Sequence, residues 1–166
     1  MSQLTSVDTL YSTEFGTFVA KKTDSSVVSW GIVDSTDVQL QLTSVEAVYL
    51  NTMAFAAKRT NGSVVTWGQP DYGGKTDKLV QLQLTSVDTI YSTKTAFAAK
   101  RTDGRVVTWG ALGHAGGNSD NVRSQLTSVD TIYSTWFAFA AKKTDGSVVT
   151  WGSLDIKADG SVATWG

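Results

Sequence analysis

One ten-residue string recurs along the chain, as QLTSVDTLYS from Gln3, QLTSVEAVYL from Gln41 and QLTSVDTIYS from Gln83 and again from Gln125. Each copy is followed by a Trp-Gly pair. Trp67, Trp109 and Trp151 are 42 residues apart, and Trp30 precedes Trp67 by 37 because the first connector is shorter. From Val45 to Trp67, Val87 to Trp109 and Val129 to Trp151 the interval is 22, whereas Val7 to Trp30 is 23. The extra residue falls in Glu14-Phe15-Gly16 and reads as a bulge or a longer turn. The repeating unit is thus fixed in length at its core and variable in its connector. A unit of this size cannot bury its own apolar face, so neighbours must stack, and the period restricts the chain to a propeller, a solenoid or a related array. The units are 3–38, 39–80, 81–122 and 123–152, and residues 153–166, with IKADGSVATWG from Ile156, repeat only the second half of one. All form a single repeat domain.

Within the third unit, Val87 to Ser92 alternates and is rich in β-branched and aromatic residues, the pattern of a strand. Ala96 to Arg101 and Arg105 to Trp109 are two further short runs, and Asp103-Gly104 between them predicts a hairpin with a type I′ turn. Asn61-Gly62, Asp145-Gly146 and Asp159-Gly160 repeat that signal, but the first unit has Asp24-Ser25, and serine is less suited to positive φ, so the first hairpin is expected to be looser. Lys78 to Leu84 reads as a helical turn or an extra strand. On the second strand Phe97 and Ala99 share one face while Ala96 and Ala98 share the other. One face is bulky and the other nearly flat, so the aromatics are expected to nest on the alanine face of the next sheet, which makes the Trp-Gly tryptophans core residues rather than a ligand platform. The fold class is all-β, a repeat protein of four and a half units in a small β-propeller-like arrangement.

The string AFAAKRTDGRVVTWG, preceded by VDTIYST, resembles the repeat of the regulator of chromosome condensation family. The likeness runs through all four units and the half-unit. It is strongest at Asp103-Gly104, Val106 and Trp109-Gly110, and at the connector glycines Gly73-Gly74 and Gly116-Gly117. It implies a β-propeller, generally of seven blades, used for protein–protein contact and in the founding case for nucleotide exchange on a small GTPase. The glycine-and-histidine segment usual before the second strand is here Tyr91-Ser92-Thr93-Lys94-Thr95, and four and a half units are fewer than seven blades. An open stack would leave two apolar faces bare. The first strand, Val7 to Tyr11, and the terminal hairpin, Ile156 to Gly166, are expected to pair and close the ring within one chain; the alternatives are a dimer that completes a larger ring, or burial in a bigger assembly.

Chemistry is limited by supply. The 166 residues contain no cysteine, which removes thiolate catalysis, disulfides and cysteine metal sites. Fourteen Lys and Arg against fifteen Asp and Glu give a formal charge of −1, so no whole-molecule field steers the chain to nucleic acid or acidic membranes, and nucleic acid is not the expected partner. No apolar run approaches the roughly 18 residues of a membrane span, and the start MSQLTSVDTL lacks the signature of a signal peptide. The compartment is left open. The only histidine, His114, sits beside connector glycines and is expected on a surface loop, and Asp71, Asp77, Asp120 and Asp155 do not form a calcium-loop pattern. Gly73-Gly74-Lys75-Thr76 is like the end of a phosphate-binding loop, but Gln69 stands where that motif starts with glycine. No catalytic residue, cofactor or metal is expected, and the protein is read as not an enzyme.

The basic pairs Lys21-Lys22, Lys58-Arg59, Lys100-Arg101 and Lys142-Lys143 recur once per unit. They read first as a solvated hairpin rim that discourages edge pairing, and second as a ring that could hold an acidic partner. The connectors differ most between units and are where individual recognition is expected. The candidate binding residues are Tyr72, Lys75, His114, Trp136, Lys58, Arg59, Lys100 and Arg101, with Trp136 the tryptophan outside the Trp-Gly register. The expected function is a non-catalytic protein–protein interaction scaffold or accessory subunit, with a protein partner or self-association through the terminal half-unit. A lectin-like or small-ligand binder using Trp136 and Tyr72 is the alternative, with guanine-nucleotide exchange and nucleic-acid contact ranked behind it.

Overall fold

The computed structural model describes residues 4–112 and 116–153. The described residues form four antiparallel sheets, each of three strands in chain order. They are β1 (Val7–Ser12), β2 (Thr17–Lys22) and β3 (Val27–Gly31); β4 (Val45–Leu50), β5 (Ala54–Arg59) and β6 (Val64–Gly68); β7 (Val87–Ser92), β8 (Ala96–Arg101) and β9 (Val106–Gly110); and β10 (Val129–Ser134), β11 (Ala138–Lys143) and β12 (Val148–Gly152). Like strands approach across sheets at β4, β7 and β10, and the Tyr91 hydroxyl lies 3.4 Å from Thr131 Oγ1 between β7 and β10. The sheets therefore fan outward from their first strands as the blades of an all-β propeller. The terminal hairpin expected to close the ring lies outside the described residues.

Cross-strand register creates the knobs. Phe55 is the partner of Trp67, Phe97 of Trp109 and Phe139 of Trp151, and each pair stacks at a centroid distance of 5.2 Å. These stacks face back onto the preceding blade rather than forward onto the next, as the sequence reading had it. Phe97 and Trp109 cluster with Ala54, Ala56 and Val64, and Phe139 and Trp151 with Ala96, Ala98 and Val106. Phe55 and Trp67 rest on Val19 and Val27 of the first blade. All three phenylalanines are fully buried. Rings of this size each remove roughly 150–250 Å² from water, so the stacked knobs dominate the cohesion between blades.

The hairpin turns add a polar seam. The Val87 N–H donates to the Gly62 carbonyl and the Val129 N–H to that of Gly104, both at 2.9 Å, joining the turn of one blade to the first strand of the following one. The turns are not type I′. Gly104 has φ +77, but Thr102 and Asp103 keep negative φ, and the Gly104 N–H returns to the Arg101 carbonyl at 3.0 Å. This is a type I turn followed by a left-handed glycine, and it follows from Thr102: a β-branched residue resists positive φ, so the loop takes one more residue than the Asp-Gly pair suggests. The first turn keeps the same hydrogen bonds, with Ser25 at φ +64 and Asp24 Oδ1 accepting the Ser26 N–H at 2.9 Å. It is not opened; the cost of serine appears as backbone strain instead.

The extra residue of the first unit forms a turn over 14–16, closed by the Gly16 N–H to the Thr13 carbonyl at 3.2 Å. Lys78 to Gln83 is a short helix, α1, capped by Asp77, whose Oδ1 accepts the Val80 N–H at 2.8 Å. Its counterparts Thr36–Gln41 and Asp120–Gln125 are 3-10 turns. Each delivers the leucine that follows, Leu42, Leu84 or Leu126, into a seam.

Two substitutions test the turn. A Cβ at Gly104 would meet Ser128 Cα at 3.1 Å as well as the unfavourable φ, so Gly104→Ala should destabilise by about 2 kcal/mol. Ser25→Gly should stabilise by up to about 1 kcal/mol, since it relieves a left-handed residue. Urea unfolding of both variants measures the two signs.

Candidate functional site

The turns after the first strands of successive blades converge on one mouth. The Thr52 N–H donates to the Lys94 carbonyl at 3.2 Å, the Lys94 N–H to the Trp136 carbonyl at 2.9 Å, and Ser92 Oγ to the Leu50 carbonyl at 3.0 Å. The concavity has a volume of about 500 Å³ and a wall of hydroxyl and amide groups, among them Ser12, Asn51, Thr52 and Ser134. At its edge stands Trp136, 68% exposed, with Lys94 Nζ 4.0 Å from its ring centroid. One face of the indole is therefore taken by a cation, an arrangement worth roughly 0.5–1 kcal/mol at an exposed site. Lys94 escaped the sequence reading, although the 42-residue period places it at the position equivalent to Trp136 in the blade before.

Two larger clefts lie among the connectors. One of about 820 Å³ is bounded by Asp71, Lys75, Asp77, Leu79, Leu112 and Arg123, and one of about 570 Å³ by Ile32, Asp34, Asp37 and again Lys75. Lys75 is exposed and serves both. Tyr72 is partly buried against the seam between the second and third blades, its carbonyl accepting from Asn51 Nδ2 at 2.7 Å, and it does not line the mouth. Trp136 and Tyr72 are thus not brought into one platform. His114 and Asp155 lie outside the described residues. Gly73 and Gly74 serve packing: the Gly73 carbonyl accepts the Trp109 indole N–H at 3.1 Å, and a Cβ there would press on Phe97 and Trp109 at 3.0 Å. The Gly116 carbonyl does the same for Trp151 at 3.0 Å.

The basic pairs of the second and third blades are not a free rim. Lys58 is buried; its Nζ reaches Glu46 Oε1 at 2.9 Å and, in the following blade, the Asp88 carbonyl at 2.7 Å. Lys100 reaches Asp88 Oδ2 at 2.9 Å and the Asp130 carbonyl at 2.8 Å. Each lysine is a strut between blades, because its stem is long enough to lie across the seam and its ammonium finds an uncommitted carbonyl there. Arg59 and Arg101 are partly buried, and their Nε groups find no hydrogen-bond partner among the described residues; Arg101 also lies 3.5 Å from Asp103. Among the described residues Lys142, in the last described blade, reaches only Asp130, at 4.0 Å, and is half exposed.

These contacts set the titration. The Lys100 hydrogen bond holds the Asp88 carboxyl below its ordinary 3.8, and the same bond raises Lys100 above 10.5. In Asp24 and Asp145 the hydroxyls of Ser26 and Ser147 lower the carboxyl. Burial raises the Tyr49 phenol. Among the described residues no group of three or more His, Asp or Glu is placed to hold a metal ion, and no helix is long and apolar enough to cross a membrane.

Blades of three strands built on Phe–Trp knobs, fanning from their first strands, define a β-propeller, and the chain resembles solved RCC1 structures. The solved structures it resembles agree. Prp20, the yeast RCC1 crystallised with Kap60, aligns at a TM-score of 0.58 and 18% identity over 90% of this chain and 42% of that one. Human WBSCR16 aligns at 0.55 and 17% over 92% and 49%, and the ectodomain of the Physcomitrella patens receptor kinase CR4 at 0.55 and 14% over 90% and 42%. The chain spans less than half the length of each. No protein-family model and no curated protein matches it.

The struts differ by position, which supplies a control. Lys58→Met should cost about 1.5–3 kcal/mol, the scale of a lost hydrogen bond to a charged group, while Lys142→Met should cost well under 1 kcal/mol. Guanidinium unfolding of the two variants compares them. Because Asp88 is lowered, its contribution is present above pH 3.8 and fades as pH falls below that value. Lys100 is raised, so its share is present below pH 10.5 and fades as pH climbs past it. Asp88→Asn should flatten the acid limb of a stability profile.

Proposed function

We propose that this chain is a non-catalytic interaction scaffold whose connectors contact a protein partner. The observation that supports the reading is the contrast among leucines. Leu84 and its equivalents are buried, yet in the same connector Leu79 is 73% and Leu82 66% exposed on α1, and Leu40 and Leu112 are exposed on the connectors to either side. Large apolar side chains held outward on connectors beside charged clefts are the composition of a protein contact surface. These connectors are also the segments in which the otherwise uniform units differ, as expected where one scaffold carries individual recognition. The solved relatives fit a binding role in general: Prp20 was crystallised bound to Kap60, and its binding to Gsp1p and histones has been described. Nucleotide exchange is not carried over, since a shared fold does not transfer a site.

A photo-reactive residue at position 79, introduced in the source cells, should yield one discrete protein adduct, and the same probe at exposed position 103, in an internal hairpin turn, should not. Absence of an adduct at 79, or equal adducts at both positions, would count against the scaffold.

The second reading is a small-ligand or lectin-like mouth, favoured by the free face of Trp136 above a hydroxyl-rich wall. Trp136 emission, taken as the difference between the chain and Trp136→Phe, should be red-shifted and readily quenched by acrylamide. A sugar that stacks there would shift it to the blue and protect it. A blue-shifted, protected indole before any ligand is added would exclude this reading.

A further inference from the structure

The two ends of the described stack are the separated halves of the seam that the chain builds three times. In each internal seam the following blade contributes a leucine, two aliphatic residues of its first strand and a Phe–Trp stack: Leu42, Val45, Val48, Phe55 and Trp67 in the first instance, all buried. In the first blade the same positions are Leu4, Val7, Leu10, Phe18 and Trp30, and none is buried; Leu10 is 58% exposed. The preceding blade contributes a tyrosine, the alanine face and a valine: Tyr49, Ala54, Ala56 and Val64 in the second seam. In the fourth blade these are Tyr133, Ala138, Ala140 and Val148, with Tyr133 62% and Val148 59% exposed, Ala140 partly buried and Ala138 buried.

The polar partners are divided in the same way. Val45, Val87 and Val129 each donate an N–H to the turn of the preceding blade, at Ser25, Gly62 and Gly104. Among the described residues the Val7 N–H and the Gly146 carbonyl have no partner of this kind. A Cβ on Gly62 or Gly104 would meet the following blade within about 3 Å, whereas one on Gly146 would meet nothing within 4 Å. The indoles of Trp67, Trp109 and Trp151 donate to the preceding blade or its connector, while the Trp30 indole finds no acceptor among the described residues. Lys58 and Lys100 bridge to the next blade, whereas Lys21 and Lys142, at the equivalent positions, reach only Asp8 and Asp130 of their own blades among the described residues.

We propose that a second copy of this chain supplies what is missing: the fourth blade of each copy receives the first blade of the other, head to tail, and two identical seams close the pair into one ring. The surface that fits the open flat face is already on this chain, in apolar shape and in hydrogen-bonding groups alike, with Lys142 set to reach the Asp8 carbonyl and the Gly146 carbonyl to accept from Val7 of the other copy. The half-unit from Ile156 is a poorer match for these faces, since its sequence has no counterpart of the Ala-Phe-Ala strand that forms the flat side of a blade. A two-fold axis makes both contacts at once and leaves no end for further growth.

The test uses the full chain and two exposed positions, so that neither change disturbs a buried site. Native mass and sedimentation should find the unsubstituted protein at twice the chain mass at micromolar concentration. Leu10→Glu alone and Val148→Lys alone should each fall to the chain mass, with dissociation constants raised at least 100-fold and unchanged far-ultraviolet circular dichroism. Mixing the two variants should restore the doubled mass, since one seam is then unaltered and the other sets opposite charges together. The mass of one chain at every concentration, meaning that the chain covers its own faces, would overturn the proposal. So would a ladder of larger sizes, retention of the doubled mass by either variant alone, or failure of the mixture to recover it.

Discussion

Each seam between blades sets a Phe–Trp stack on a surface of alanine and valine side chains, and the remaining structure follows from keeping that contact close. The stack is bulky only because Phe97 and Trp109 are register partners on adjacent strands, so their rings lie side by side on one face. The opposite face must then be shallow, and Ala96 and Ala98 make it so. Close approach of the sheets brings the turn glycines against the next blade, where a Cβ on Gly104 would meet Ser128 Cα at 3.1 Å. It also brings backbone within reach of the lysine struts. Shape therefore comes first, and the hydrogen bonds across the seam are its consequence.

The seam also explains why the connectors are free to vary. Each must deliver one leucine and one indole acceptor to the following blade, and little else is required. Gly73 and Gly116 supply the acceptor through a backbone carbonyl, whereas the first connector is shorter and the Trp67 indole donates instead to Ser29 Oγ at 3.0 Å. Ser29 is itself held there, its N–H donating to Ser35 Oγ at 2.9 Å. With the anchor met by such different means, the outer parts are released for surface roles, and Leu79 and Lys75 lie on those parts.

Much of this was legible in the residues. Alternation placed the strands, the sidedness of Phe97 against Ala98 gave the two faces of a blade, and the 42-residue period identified Trp136 as the indole outside the core. The direction of stacking was not legible, because which neighbour receives the rings depends on the hand of the fan and not on the composition of a strand. The turn type was misread because Asp-Gly favours several turns and the deciding residue, Thr102, precedes it. The fate of Lys58 was hidden for another reason: its acceptor is the backbone carbonyl of Asp88, thirty residues on, and carbonyls leave no mark in a sequence. Ser44, Ser86 and Ser128 take φ of +52 to +54, a conformation their residue type does not announce. For the mouth, Trp136 was read from its place outside the Trp-Gly register, and the partly buried Lys94 was missed for lack of comparison between equivalent positions.

The central claim is that a flat alanine face sets the distance between blades. Enlarging one alanine at a time tests it, using Ala56→Leu and Ala98→Leu inside seams and Ala140→Leu on the open face, with denaturant unfolding at concentrations low enough to keep the chain single. Ala56 and Ala98 are fully buried and Ala140 only partly. The first two changes should each cost about 1–3 kcal/mol or more through overpacking, and Ala140→Leu less than about 0.5 kcal/mol, as at an ordinary surface position. Equal losses at all three positions, or none at Ala56 and Ala98, would contradict the account.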